Sequence, residues 1–145
     1  MINSFGFLIL RLCVGILLVH HGFEKLNDIE NFATAFVRPL HLPFPITLSY
    51  IAAFSEIAGS WMLITGLGVR FGALAIMGTM SVAIYHAISI NGFNIYLLEL
   101  LGLYWGGAFC LILNGGGQFS IDHLIKLTFG KFPNVLDTNL KHMGS

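Results

Sequence analysis

Four long apolar stretches alternate with shorter, more polar segments along the chain. They lie at residues 5–21, 47–66, 69–89 and 93–114. Each is close to the roughly 20 helical residues that span a bilayer core of about 30 Å. The pattern therefore predicts an all-α membrane fold, an antiparallel four-transmembrane-helix bundle that forms a single membrane domain over residues 1–145.

The connections between these stretches predict how the helices follow one another. Residues 66–68 and 90–92 are short glycine-containing turns, so the second, third and fourth helices should run antiparallel to their neighbours. The longer connection, residues 22–46, contains an amphipathic stretch at residues 28–38. We expect that stretch to form a short interfacial helix in the first outer loop, and residues 119–130 to form another after the fourth helix.

The first apolar stretch is expected to be a retained helix and not a cleaved signal peptide. No Lys or Arg precedes it, and His20, His21 and Gly22 follow it where a cleavage site of small residues would lie.

The distribution of Lys and Arg predicts the orientation of the bundle. Four of them lie on the side that holds both termini: Arg70, Lys126, Lys131 and Lys141. Two lie on the other side: Lys25 and Arg38. Because cytoplasmic loops carry the excess of positive residues, both termini are predicted to be cytoplasmic and the long loop to lie outside.

The composition agrees with a membrane protein and excludes some partners. The chain is 56% hydrophobic and 10% charged, with a mean hydropathy of +0.82, whereas soluble domains carry roughly 25% charged residues. Its formal net charge is zero, so no basic patch indicates nucleic acid as a partner. Cys13 and Cys110 form no CxxC motif and are not expected to pair.

Each apolar stretch contains an ionisable residue on a face that also carries small residues. These residues are Arg11, Glu56, His86 and Glu99. Small residues allow helix backbones to approach closely in lipid, and a charge facing lipid costs several kcal/mol. Both arguments predict that these faces point inward and that the bundle has a polar interior.

The rise per residue predicts a first contact inside the bundle. Arg11 would lie about 9 Å and Glu56 about 15 Å from the cytoplasmic side, within reach of each other if their helices are neighbours. An inner Arg11–Glu56 ion pair is therefore expected. Such a pair is equally consistent with a purely structural role, in which it fixes the register of two helices.

A second group of polar residues is predicted near the outer side. His21, His86 and Glu99 fall within about 10 Å of that face, with Lys25 at the mouth of the cluster. These side chains could handle protons or contact a ligand. They are acceptable metal ligands, but no His-x3-His or similar spacing supports a metal site, and none is expected.

Several short motifs together carry a family resemblance. Arg11-Leu-x-x-Gly15, His21-Gly22-x-x-Lys25-Leu26, Glu56-x-x-Gly59 and Gly115-x-Gly117-x-x-Ser120-x-Asp122 follow one another in this order. Over residues 10–124 the chain resembles the DoxX family of four-helix membrane proteins.

The resemblance implies quinone-linked redox chemistry. The family is named for a subunit associated with a terminal quinol oxidase, and related proteins act in thiosulfate:quinone oxidoreductases or other membrane oxidoreductase complexes. It therefore implies a bound quinone, a membrane or peripheral redox partner subunit and a bacterial inner-membrane location. Since the chain has no flavin, iron–sulfur or dinucleotide motif, any enzymatic role would be that of an accessory membrane subunit.

Two function classes remain open at this point. In the first, the bundle binds a quinone headgroup, with His21 or His86 as hydrogen-bond donor and Glu56 or Glu99 relaying the proton. In the second, the protein is a non-catalytic membrane scaffold or assembly partner whose buried charges serve only packing. A transporter or channel is disfavoured because four helices leave little room for a path, unless the chain forms homo-oligomers, a question that is also open.

Overall fold

A computed structural model describes residues 2–90 and 92–129, and the regular structure in them is entirely helical. The α-helices follow in chain order: α1 (Ile2–Asn27), α2 (Ile29–Phe32), α3 (Pro45–Thr65), α4 (Val69–Ser89), α5 (Ile95–Asn114) and α6 (Ile121–Phe129). Within the described residues, α1, α3, α4 and α5 are long and apolar enough to cross a membrane. The predicted all-α fold with four transmembrane helices is confirmed.

Helix α1 continues six residues beyond the predicted apolar stretch. His20 and His21 end the hydrophobic run, but both contact Glu24 one turn later, at 2.9 Å (Nε2 to Oε1) and 3.1 Å (Nδ1 to Oε2). Such i,i+3 and i,i+4 contacts between polar side chains support a helix that hydropathy alone would end. The extension places Lys25 on the last turn of α1.

The connection between α1 and α3 is not one continuous helix. After α2, the chain forms a π-helical turn at Ala33–Val37 and a 3-10 turn at Arg38–Leu40. Pro39 cannot donate a backbone hydrogen bond, which favours the end of the helical geometry there. Residues 28–40, called the loop segment below, pack on α3 through this π-helical turn, in which Ala33 and Val37 are buried. Helix α6 lies within the predicted 119–130 helix, while Gly130 lies outside the described residues.

The four long helices pack in sequence around a common core. Helix α1 packs along α3, α3 along α4, and α4 along α5, whereas α5 meets α1 over a much smaller area. The core contains the fully buried Leu18, Leu63, Ile76 and Leu111 from these four helices. A bundle closed by one weak helix pair leaves room for an opening beside that pair.

Glycines set the closest approaches between neighbouring helices. A Cβ at Gly15 would lie 2.9 Å from the Ser60 carbonyl oxygen, and one at Gly59 would lie 2.9 Å from the Gly72 carbonyl oxygen. Both distances are too short for real carbon–oxygen contacts, so any side chain there would push the helices apart. This is the close packing that small residues permit in a membrane.

The bundle has two different ends. The glycine end contains Arg11, the Gly66–Gly68 turn and the Gly115–Gly117 turn, and there the helices are tied together. Near the middle, α1 and α5 meet, since a Cβ at Gly107 would lie 3.2 Å from Val14 Cγ2. At the cavity end, the last turns of α1 and α4 and the first turns of α3 and α5 surround an open space.

The close contact between Gly59 of α3 and Gly72 of α4 gives a prediction about stability. Gly59→Ala should lower the free energy of unfolding by about 1–3 kcal/mol, because the added methyl meets backbone and not a movable side-chain end. Gly102→Ala is the matched control: its Cβ would find no atom within 4 Å, and alanine favours a helix by roughly 1 kcal/mol. Thermal unfolding in detergent, followed by circular dichroism, measures both. A Gly59→Ala variant as stable as Gly102→Ala would contradict the packing described.

Candidate functional site

A large cavity at the cavity end is the main candidate for a functional site. It measures about 770 Å³ and is lined by residues of α1, α3, α4, α5 and the loop segment. The volume falls in the range of roughly 300–1,000 Å³ found for small-molecule sites. Most of its wall is apolar, and the few polar side chains cluster toward one end.

The Lys25–Glu56 ion pair forms the polar centre of this wall. Lys25 Nζ donates to Glu56 Oε1. The Glu56 side chain is fully buried and the Lys25 side chain is 20% exposed. The second carboxylate oxygen, Oε2, is buried and has no hydrogen-bond partner within the described residues. Since a buried polar atom without a partner is costly, this oxygen is available to a ligand as a hydrogen-bond acceptor.

His86 lies on the same wall under an aromatic cover. Its ring is 5% exposed and its Nε2 atom finds no partner in the part of the chain that the structure describes. The Phe36 ring lies 5.2 Å from it, centroid to centroid, and Phe32 stacks on Phe36 at 5.1 Å. Lys25 Nζ lies 5.1 Å from the Phe32 ring, a cation–π distance. The loop segment thus covers both ionisable groups with two aromatic rings.

The cavity opens to the surface on two sides with different chemistry. His21, Glu24 and Asp28 line a polar mouth at the end of α1. On the other side, Ile51 of α3 and Leu74 and Val82 of α4 line the cavity and are each more than half exposed. That second opening lies between two membrane-spanning helices and faces the hydrocarbon region. An amphiphilic ligand would match both openings.

The predicted Arg11–Glu56 pair is wrong. Glu56 pairs with Lys25, and Arg11 NH1 lies close to Gly66 at the other end of α3. The ten residues between Glu56 and Gly66 correspond to about 15 Å of helix, beyond the reach of the Arg11 side chain. The prediction failed because it counted depth from the ends of the apolar stretches, whereas α1 begins at Ile2 and sets Arg11 level with the end of α3.

The predicted outer cluster of His21, His86 and Glu99 does not form either. His21 is exposed, bonds to Glu24 and lies at the polar mouth. Glu99 is exposed and lies on the side of α5 opposite Leu97, Leu101 and Tyr104, which line the cavity. The small residues beside Glu99 misled the prediction, because a Cβ at Gly102 or Gly106 would meet no atom within 4 Å. On α5, Gly102 and Gly106 therefore face outward, and Leu97, Leu101 and Tyr104 face the cavity.

Arg11 instead ties the glycine end together. It is 1% exposed and donates from NH1 to the Gly116 carbonyl (2.7 Å) and from NH2 to the Phe119 carbonyl (3.0 Å). Gly66 makes this contact possible: its φ is +77°, and a Cβ there would lie 2.7 Å from Arg11 NH1. The guanidinium therefore acts as a buried support for the turn after α5.

Asp122 completes this connection from the start of α6. Its carboxylate accepts from the backbone N–H of Gly68 (2.8 Å) and of Val69 (3.2 Å), and its own N–H donates to the Gly66 carbonyl (3.0 Å). A carboxylate at a helix N-terminus satisfies free N–H groups and complements the helix dipole. The Arg11 and Asp122 contacts, called the glycine-end lock below, have a structural explanation and leave the cavity as the site for chemistry.

Sequence reasoning missed two features of the site. The first is the Lys25–Glu56 pairing, which the small residues Gly15 and Gly22 could have indicated by fixing the antiparallel register of α1 and α3. The second is the aromatic cover of Phe32 and Phe36, spaced one helical turn apart on the loop segment. No group of three or more His, Cys, Asp or Glu side chains in the described residues has the geometry of a metal site.

The chain is similar to known proteins over most of its length. The DoxX family model matches residues 6–89, more than half of the chain. The chain belongs to the DoxX family. An uncharacterized protein of Haemophilus influenzae is 33% identical over 137 residues, covering 88% of this chain and 87% of that protein. No solved structure matches this DoxX protein.

The family match covers the ionisable residues of the cavity wall, but neither the α5 part of that wall nor all of the lock. Residues 6–89 run from α1 to the end of α4 and include Arg11, Lys25, Glu56 and His86. Asp122 and the Gly115–Gly117 turn lie beyond the matched residues. Family membership and the four long apolar helices make this a multi-pass membrane protein.

Breaking the Lys25–Glu56 pair should destabilise the protein asymmetrically. Lys25→Met leaves a buried carboxylate without a partner and should cost about 3 kcal/mol of unfolding free energy. Glu56→Gln should cost less, because the partly exposed ammonium of Lys25 can still reach water. The double variant Lys25→Met/Glu56→Leu should recover most of the loss.

Thermal unfolding in detergent tests this asymmetry. Lys126→Met, an exposed lysine on α6, is the matched control and should unfold like the wild type. If Lys25→Met and Lys126→Met unfold at the same temperature, the ion pair does not contribute as described.

The glycine-end lock gives a separate prediction. Asp122→Ala removes two hydrogen bonds at the start of α4 and should cost about 1–2 kcal/mol of unfolding free energy. Asp28→Ala is the matched control, because Asp28 accepts a hydrogen bond only from Asn31 N (3.2 Å) in a four-residue, exposed helix. Chemical denaturation followed by tryptophan fluorescence measures both variants. If Asp28→Ala lowered the unfolding free energy more than Asp122→Ala, the stabilising role assigned to Asp122 would be refuted.

Proposed function

We propose that this DoxX protein binds a quinone in the cavity and serves as a membrane subunit of a quinone-linked oxidoreductase complex. The observation that carries the proposal is the position of the Lys25–Glu56 pair on the wall of an apolar cavity that opens to the bilayer. A quinone has a polar ring and an apolar tail, and the cavity offers a polar wall and an apolar opening.

The polar atoms of the cavity wall fit the reduced ring. Glu56 Oε2 has no partner in the described residues and would accept a hydrogen bond from a quinol hydroxyl. His86 Nε2, likewise without a partner there, would hold the second ring oxygen, either as donor or as acceptor. Phe36 is 46% exposed, so a rotation of its ring would open His86 to the ligand.

Proton handling follows from the same residues. When bound, the quinone would supply the redox chemistry, exchanging electrons with the partner subunit. Glu56 would take a proton from the ring hydroxyl and become neutral. Lys25 would stabilise the carboxylate before this transfer and again once the proton has passed on. His21 and Glu24 at the polar mouth would pass protons between the cavity and water.

The proposal also includes a redox partner, the membrane in which the protein lies and its orientation there. A partner subunit is needed because the chain contains no flavin, iron–sulfur or dinucleotide motif. We place the protein in the inner membrane of a bacterium, with both termini on the cytoplasmic side. The positive residues Lys131 and Lys141, which contribute to this orientation, lie outside the described residues.

A second candidate is a non-catalytic scaffold or assembly partner. The observation that favours it is the glycine-end lock, where buried Arg11 donates to two backbone carbonyls and holds a turn. If every buried charge acted in this way, Lys25 and Glu56 would only hold α1 against α3. Filling the cavity separates the candidates: a His86→Phe variant that folds and still captures the same partner proteins, but holds no ligand, would favour the scaffold.

Extraction of small molecules from the detergent-purified protein tests the quinone proposal. Mass spectrometry should find a stoichiometric quinone in the wild type and strongly reduced amounts in Glu56→Gln and His86→Ala. Glu99→Gln is the matched control for the carboxylate and His20→Ala for the histidine, because both are exposed away from the cavity wall. A wild-type protein that neither retains nor rebinds a quinone would refute the proposal.

A further inference from the structure

The opening between α3 and α4 is built from small side chains. On the cavity side of the Gly59–Gly72 crossing, the wall carries Ala52 and Ser55 of α3 and Ala75 and Gly78 of α4. A Cβ at Gly78 would meet no atom within 4 Å, so the space beside it is free. The two helices touch at the crossing, and beyond it small side chains leave a gap beside the exposed Gly78.

We propose that the ligand reaches the cavity from the bilayer through this gap, and that a single apolar chain of the ligand lies in it beside Gly78. The inference rests on the proposed function and adds the route and the position of the tail. It assigns Gly78 as a residue that determines which ligands fit.

The chemistry of the gap fits an apolar chain. Ile51, Leu74 and Val82 flank it and are 51–56% exposed toward the hydrocarbon region. The hydroxyl of Thr79 on this wall donates to the Ile76 carbonyl of its own helix (2.9 Å) and can offer a ligand only an acceptor. Ser55 carries the other hydroxyl of the gap. A polar headgroup therefore has little reason to stay in the gap, whereas an alkyl or isoprenoid chain would bury apolar surface there.

The residues that line the gap favour one chain over two. The gap results from one row of small residues on each helix, and the crossing at Gly59 and Gly72 closes it on one side. The cavity of about 770 Å³ holds a ring between Lys25, Glu56 and His86, and a long tail has to leave it. A ligand with its ring at the ion pair and its chain at Gly78 occupies both the polar wall and the apolar opening.

Two quinones with the same ring, both held reduced as quinols, test the inference. One is a dimethoxy-methyl-benzoquinone with a decyl chain, and the other has the same ring without the chain. Gly78→Phe should lower the affinity for the decyl compound by about tenfold and change the affinity for the chainless compound by no more than about twofold. Gly78→Leu adds less volume and should therefore lower the affinity for the decyl compound by a smaller factor.

Gly102→Phe on α5 is the matched control, since its site is also free of neighbours but lies away from the cavity. It should bind both compounds like the wild type. Equilibrium binding to the detergent-purified protein gives the affinities, and thermal unfolding confirms that each variant is folded.

The outcomes separate this inference from the proposed function. A decyl quinone that binds Gly78→Phe as tightly as the wild type overturns the inference and leaves the proposed function standing. An equal loss for both compounds also overturns it, because the substitution would then disturb the ring site. A wild type that binds neither compound overturns the proposed function, and the inference with it.

Discussion

The cost of burying charge in a membrane protein governs the arrangement of this bundle. Arg11 and Glu56 are both almost completely buried, and each must be compensated where it lies. Arg11 donates to two backbone carbonyls at the glycine end, and Glu56 pairs with Lys25 at the cavity end. Each keeps one buried polar atom without a partner in the described residues, Arg11 Nε and Glu56 Oε2. The two sites differ in their surroundings, because Arg11 holds a turn whereas Glu56 lies on the cavity wall.

This difference separates structure from function along the bundle axis. Glycine contacts between α1, α3 and α4 and the Arg11 and Asp122 hydrogen bonds hold the glycine end closed. At the cavity end, the weak contact between α1 and α5 leaves space, which the loop segment covers with Phe32 and Phe36. A rigid end can support an open one, because the helices remain in register while the cavity accepts a ligand. The π-helical turn within the cover is a geometry that often occurs at functional sites.

The glycines show why one physical rule gave right and wrong predictions in the same chain. On α3 and α4, Gly59 and Gly72 face each other, as close packing in lipid requires. On α5, Gly102 and Gly106 have no atoms near them, and Glu99 beside them is exposed, so the inward face of that helix carries leucines and Tyr104. Small residues permit close approach but do not require it. Periodicity therefore identifies a face, and only a neighbouring helix decides whether that face is used.

The sequence by itself determined the membrane-spanning class, the number of long helices and the family, because hydropathy over about 20 residues and short motifs are local properties. It also named Arg11, Glu56 and His86, which the structure buries, and Lys25, which pairs with Glu56. Which of them meet was decided by the tertiary structure. The register of α1 against α3 depends on glycine contacts between residues that are distant in the chain. This register places Arg11 about 15 Å along α3 from Glu56, so Glu56 pairs with Lys25 instead. The cavity itself arises from how four helices diverge, a property that no single segment contains.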